Sequence, residues 1–253
     1  MRNRAWLAAF GALGMTVGVV GLAAQTPPKS LEAALADPGR AMHRGADARR
    51  KPAALIAFAG VKPGDKVLDL IPGDGYWTRI FSKLVGPRGK VYAVWPEAYA
   101  KLAAGNVDTL RQLSASPHYG NIVTQVQPTT RLAAPEPLDV VWTSQNYHDY
   151  PDKFMGPTDP SVLNRAVYSI LKPGGVYMII DHQAQPGSGL RDTDSLHRID
   201  PATVIAEVKA AGFRYAGQSR VLANPKDPLT IKVFDPSIRG HTSQFALKFV
   251  RPR

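Results

Sequence analysis

The chain has 253 residues, 44% hydrophobic and 20% charged, enough apolar matter for a packed core without covalent staples. It contains no cysteine, which excludes disulfides, thiolate metal sites, cysteine nucleophiles and a lipid-modified cysteine anchor. The net charge of +11 is scattered, its densest cluster is Arg49-Arg50-Lys51, and no basic run is interleaved with aromatics, so nucleic acid is not an expected partner.

Arg2 and Arg4 precede an uncharged apolar stretch from Ala5 to Ala24, which ends in the small residues Gly21-Leu22-Ala23-Ala24. A positive start, an apolar middle and a small-residue end make residues 1–24 an expected signal peptide. The chain would then be exported, to a bacterial periplasm or beyond. The stretch is also long enough to span a bilayer, so an uncleaved N-terminal anchor is the alternative, and the only membrane contact expected. Residues 25–253 read as one domain with no internal repeat. Nothing in the sequence indicates an oligomeric state.

Leu31 to Ala36 has a brief helical pattern that stops at Asp37-Pro38-Gly39. Helical spacing resumes from Ala46 to Phe58, with Pro52 suited to a first turn and Gly60 to an end. Lys66 to Ile71 is the first expected strand, followed by the turn Pro72-Gly73-Asp74-Gly75 and a helix over Tyr76 to Val85. Lys90 to Trp95 is a second strand. Helices are expected over Glu97–Ala103 and near Val107–Leu113, then strands at Asn121–Val126 and Leu138–Thr143. Asp159-Pro160-Ser161 caps a helix running to Leu171, and a fifth strand covers Val176–Asp181. A polar loop from His182 to Asp200 precedes a helix over Pro201–Ala211. Late strands are expected at Phe213–Val221 and Gln244–Val250. Strands alternating with helices predict an α/β fold, a doubly wound, mostly parallel sheet with extra N-terminal helices.

A buried strand, a tight glycine turn and an immediate helix form a place where backbone N–H groups meet a ligand closely. The run Val67-Leu68-Asp69-Leu70-Ile71-Pro72-Gly73-Asp74-Gly75-Tyr76 resembles the first motif of class I S-adenosylmethionine-dependent methyltransferases, a strand with Asp before G-x-G-x-G. Asp69 matches the acid, and Gly73 and Gly75 match the last two glycines; Ile71 replaces the first. The I-P-G-D-G form is similar to a subgroup of methyltransferases that carry signal peptides. Leu171-Lys172-Pro173-Gly174-Gly175 resembles the segment before the family's fifth strand. The resemblance spans about residues 50–220. It implies that sheet with an antiparallel last strand, and S-adenosylmethionine as cofactor. It implies Asp69, Pro72, Gly73, Asp74, Gly75 and Tyr76 as cofactor-binding residues. The family's second strand ends in a ribose-binding acid; here Trp95 holds that place, with Glu97 two residues on. Both join the expected cofactor set.

The fourth strand runs into Asn146-Tyr147-His148-Asp149. A histidine beside a carboxylate can take a proton from an acceptor. Tyr147, His148, Asp149 and His182 are therefore the expected catalytic groups. Asp192, His197 and Arg198 in the polar loop are expected to touch a small-molecule substrate. His148, His182 and His197 all follow strand ends and could gather round a metal, although no local spacing supports this and no metal is expected. Methyl transfer to a small molecule is the leading reading. The alternatives are a ligand-binding protein that has lost transfer and a metal- or histidine-dependent enzyme on the same fold.

Overall fold

The computed structural model describes residues 29–128 and 130–253; the expected signal segment, residues 1–24, lies outside them. Among the described residues no helix is long and apolar enough to cross a membrane.

The apolar runs become strands: β1 Lys66–Leu70, β2 Lys90–Pro96, β3 Ile122–Gln127, β4 Leu138–Ser144, β5 Leu171–His182, β6 Arg214–Ser219 and β7 Gln244–Val250. Their order in the sheet is β3-β2-β1-β4-β5-β7-β6. Strands β1 to β5 pair in parallel, and β7 runs antiparallel between β5 and β6. The core strands are apolar almost throughout because both faces are covered.

Between the strands run α1 Lys29–Ala36, α2 Asp47–Arg50, α3 Pro52–Ala59, α4 Tyr76–Val85, α5 Glu97–Ala100, α6 Ala104–Ala115, α7 Pro160–Ile170, α8 Thr193–Leu196 and α9 Pro201–Ala210. The pleat sorts alternate residues to opposite faces. Val67, Val91, Val140, Trp142 and Met178 pack with α1, α3 and α4. Leu68, Leu70, Val94, Val141 and Ile179 pack with α7 and α9. On the first face the fully buried Trp142 ring lies 4.7 Å from Trp77 and 5.1 Å from Phe81. Truncating such a residue to alanine costs about 3–5 kcal/mol.

The expected cap at Asp159 forms, and a second one forms at Asp200. The Asp159 carboxylate accepts from Ser161 N at 2.7 Å, and Asp200 accepts from Ala202 N at 2.9 Å, each just before a proline in the first turn. The helical run expected over Ala46–Phe58 is instead split into α2 and α3. Lys51, which precedes Pro52, turns left-handed at φ 48°, since the proline ring disfavours helical backbone in the residue before it. The helix expected over Glu97–Ala103 stops at Ala100. The long polar loop is tied back by Ala184 N donating to Ile199 O at 3.0 Å and holds the short α8.

The chain moves outward from β1 through β2 to β3, then returns to place β4 on the other side of β1. Beyond the carboxyl ends of β1 and β4 the connections diverge. That divergence opens the crevice where ligands bind in such sheets.

Candidate active site

The crevice is lined by the turn Ile71-Pro72-Gly73-Asp74, by Tyr76 and Trp77 of α4, by Trp95 and Tyr99, and by Ser144-Gln145-Asn146 after β4; Arg50 closes it from the N-terminal side. Its volume is about 180 Å³. Typical small-molecule pockets measure roughly 300–1,000 Å³, so this cleft is drawn tight.

Two of its walls carry backbone strain. Ile71 has φ 54° and Gln145 has φ 64°. A left-handed β-branched residue is a true outlier. Ile71 stands where the sequence motif has its first glycine, and it keeps the backbone shape that a glycine would take freely. Its N–H donates to Val94 O at 2.9 Å, and Gln145 N donates to Ile180 O at 2.7 Å. Asn146 Nδ2 ties the two walls, donating to Ile71 O at 3.2 Å and to Ser144 O at 2.7 Å. Hydrogen bonds on both sides of the cleft hold this strain in place.

The turn closes by Gly75 N donating to Pro72 O at 3.0 Å. Gly75 suits the turn because its φ of 85° is a backbone conformation that residues with a Cβ rarely adopt. Asp69 faces inward, away from the cleft lining, and accepts from Thr78 Oγ1 at 2.6 Å, so it fastens β1 to α4. Burial pushes its carboxyl up to about 7, against the hydrogen bonds of Thr78 and the charge of Arg50. Tyr76 lines the cleft, and its hydroxyl donates to Asp47 at 2.6 Å. The Arg50 guanidinium lies 4.6 Å over the Tyr76 ring.

Trp95 is fully buried, lines the cleft and leaves Nε1 without a hydrogen-bond partner among the described residues. The place of the family's acid is thus taken by a free N–H donor. Glu97 is exposed and borders a separate depression with Lys101 and Arg111. The start of α5 carries Glu97 to the outer surface, outside the cleft lining.

Beside the cleft lies a second polar cluster. His148 Nδ1 meets Asp181 Oδ1 at 2.7 Å, and His148 N donates to Asp181 Oδ2 at 2.8 Å. His148 Nε2 is 3.0 Å from Asp149 Oδ1 and 3.3 Å from His197 Nδ1. His148 and Asp181 are both almost wholly buried. Burial alone would lower the His148 ring, but the Asp181 and Asp149 carboxylates push it up to about 10. His182 stands apart, with its ring centre 6.1 Å from that of His148 and Nδ1 on Thr242 Oγ1 at 2.8 Å. Burial lowers it to about 4.

Three expected site residues are engaged elsewhere. The Tyr147 hydroxyl donates to Glu207 and accepts from Asn164, each at 2.8 Å, on the α7–α9 side of the sheet. Arg198 is wholly buried in a two-pronged pair with Asp227 at 2.9 and 3.0 Å, and it also donates to Ile231 O and Gln183 O. Four of its five N–H donors are used in this way, and the side chain is fully buried. The Asp192 carboxylate pairs with Arg191. Conversely, Arg50, Gln145, Asn146 and Asp181 belong to these sites and were not singled out from sequence. An acid ending the buried β5 run was the available signal for Asp181; nothing local marks Arg50.

Residues 46–157 match a family model described as protein-L-isoaspartate(D-aspartate) O-methyltransferase. The ubiquinone/menaquinone biosynthesis C-methyltransferase UbiE of Escherichia coli O1:K1 / APEC is 27% identical over 184 residues, 71% of this chain and 68% of that protein. In solved structures, a SAM-dependent methyltransferase from Aquifex aeolicus matches with a TM-score of 0.57 at 18% identity, over 90% of this chain and 100% of that one. The chain has the class I S-adenosylmethionine-dependent methyltransferase fold. That methyltransferase fold also carries the cyclase SpnF, which matches with a TM-score of 0.61 at 16% identity over 88% of this chain and 91% of that one. The mostly parallel sheet with its antiparallel β7 agrees with the class I methyltransferase fold.

Proposed function

We propose that the chain binds S-adenosylmethionine in the crevice beyond β1 and β4 and passes its methyl group to a small-molecule acceptor. The observation that carries this reading is the strained pair Ile71 and Gln145, tied by Asn146 at the point where the strand order reverses. Three donors of the cleft's lining residues, Trp77 Nε1 among them, have no hydrogen-bond partner among the described residues. Trp95 Nε1 and Arg50 Nε are buried without a hydrogen-bond partner among the described residues. They fit a ligand with hydroxyls at one end and a carboxylate at the other.

In this reading Trp95 donates to the ribose and Arg50 pairs with the amino-acid carboxylate. The Pro72–Gly75 turn brings backbone N–H groups close to the ligand. Bound S-adenosylmethionine supplies a methyl group already activated on sulfur, so the chain mainly excludes water and aligns the partners. Export of the protein through residues 1–24 belongs to the same proposal, and cell fractionation tests it. Ile71 and Trp95, the two departures from the family motif, favour a second reading in which the ligand is held but not used.

Isothermal calorimetry with S-adenosylmethionine and S-adenosylhomocysteine tests the proposal. Both should bind at micromolar concentrations, and Arg50→Ala should weaken them by about 10- to 100-fold, a lost charge-assisted contact. Absence of heat with either ligand ends the proposal. Binding without methyl transfer to any acceptor from a panel of phenols, amines and quinols selects the second reading.

A further inference from the structure

We propose that His148, Asp149 and His197 form a three-ligand site for a divalent cation of the Zn²⁺ type, beside the cleft and independent of the methyl-donor reading. The ligand atoms converge from two segments of the chain: the turn after β4 brings His148 and Asp149, and the end of α8 brings His197. Nε2 of His148, Oδ1 of Asp149 and Nδ1 of His197 stand 3.0, 3.3 and 3.4 Å from one another. Zinc bonds to nitrogen and carboxylate oxygen of ~2.0–2.2 Å in a tetrahedron separate neighbouring ligands by roughly 3.3–3.6 Å. The three atoms therefore mark one face of such a tetrahedron with little adjustment. Three protein ligands leave one corner of a tetrahedron, the ligand count of catalytic rather than structural zinc.

The surroundings prepare His148 for this role. Its Nδ1 is held by Asp181, which directs the Nε2 lone pair at Asp149 and His197. A carboxylate behind a ligating imidazole fixes the ring and raises its basicity. Asp149 Oδ1 is buried and accepts no aligned hydrogen bond among the described residues, although two ring nitrogens lie within 3.4 Å. Its geometry is that of a ligand facing a common centre rather than of a hydrogen-bonded acceptor. His197 is held left-handed at φ 54°, with its ring against Phe234 at 4.8 Å.

Charge points the same way. The two carboxylates Asp149 and Asp181 flank a single ring in a buried setting, and a dication balances both. The donor set is two imidazoles and a carboxylate in a chain with no cysteine, which suits zinc and its first-row neighbours. His182 is outside the set because Thr242 holds it.

Metal analysis of the untagged full chain, followed by stripping and titration with Zn²⁺ or Co²⁺, tests the site. We expect one equivalent of metal bound at micromolar concentration or below, with visible Co²⁺ absorption of a four-coordinate centre. Asp149→Asn and His197→Ala should each lower affinity by about 100-fold, and Asp181→Asn by about 10- to 100-fold. His182→Ala should leave affinity unchanged. Circular dichroism checks that each variant is folded, and the wild-type titration decides the matter if one is not. A folded, stripped wild type that takes up no stoichiometric metal at 100-fold molar excess overturns the proposal and leaves an ion-paired imidazolium only. Binding unaffected by Asp149→Asn and His197→Ala also overturns it.

Discussion

Ile71 keeps a glycine's backbone at a β-branched residue's expense. Its left-handed conformation costs about 1–3 kcal/mol, and burial of its side chain among Leu68, Leu70 and Val94 returns a similar amount. Ile71→Gly should thus change unfolding free energy by no more than about 1–2 kcal/mol, while widening the turn. Calorimetry should find S-adenosylhomocysteine bound several-fold more tightly by that variant; weaker binding would mean that the side chain is part of the ligand's wall. Asp69 gives a second residue-scale prediction. Its folded-state pKa is raised from 3.8 to about 7. Stability from the protonated carboxyl is then fully present below about pH 4 and is lost as pH rises through 7. Asp69→Asn removes that loss. The stability of the variant relative to the wild type should rise between pH 4 and pH 8 by an amount on the order of a few kcal/mol. Urea melts across that range check the slope, and a flat difference would show that Arg50 keeps Asp69 ionised throughout.

At the scale of elements, the stretch from 220 to 243 is anchored to the preceding polar loop by a buried ion pair. Arg198 grips Asp227 with two nitrogens, and Asp227 also accepts from Ser243 N and Leu229 N. Arg198→Met leaves that carboxylate buried and unpaired, a cost of about 3–5 kcal/mol. Denaturant melts should record it, and proteolysis within 220–243 should quicken. The same pair shows why the sequence misplaces Arg198. A polar residue beyond a strand end reads alike whether it faces a cleft or an acid 29 positions away. Tyr147 misleads similarly, since Glu207 lies 60 positions along the chain. The strands were legible because β1, β2, β4 and the second half of β5 carry short, mostly apolar, β-rich runs set off by turn residues, and the Asp159 cap follows from its Asp-Pro pair. The cleft's turn was legible for the same reason. Arg50 was not, because its place depends on the break at Lys51 and on the path of residues 38–51 over the turn.

At the scale of the whole molecule, the N-terminal layer is fastened across the cleft as well as onto the core. Leu31 and Ala34 pack with α4, Arg40 and Tyr76 share Asp47, and His43 Nε2 stands 3.3 Å from Asp74 on the turn. The tight crevice beneath is therefore a property of how two parts of the chain meet, and it has a signature in time. We expect ligand entry to wait on the moments when the layer lifts from the turn. Trp77 and Trp95 both border that space, so intrinsic fluorescence follows its filling. In a stopped-flow mixing experiment with S-adenosylhomocysteine, the observed rate should level off as ligand concentration rises, at the frequency of opening. His43→Ala should raise that ceiling, and a rate that climbs linearly to the highest concentration would mean that the cleft stands open.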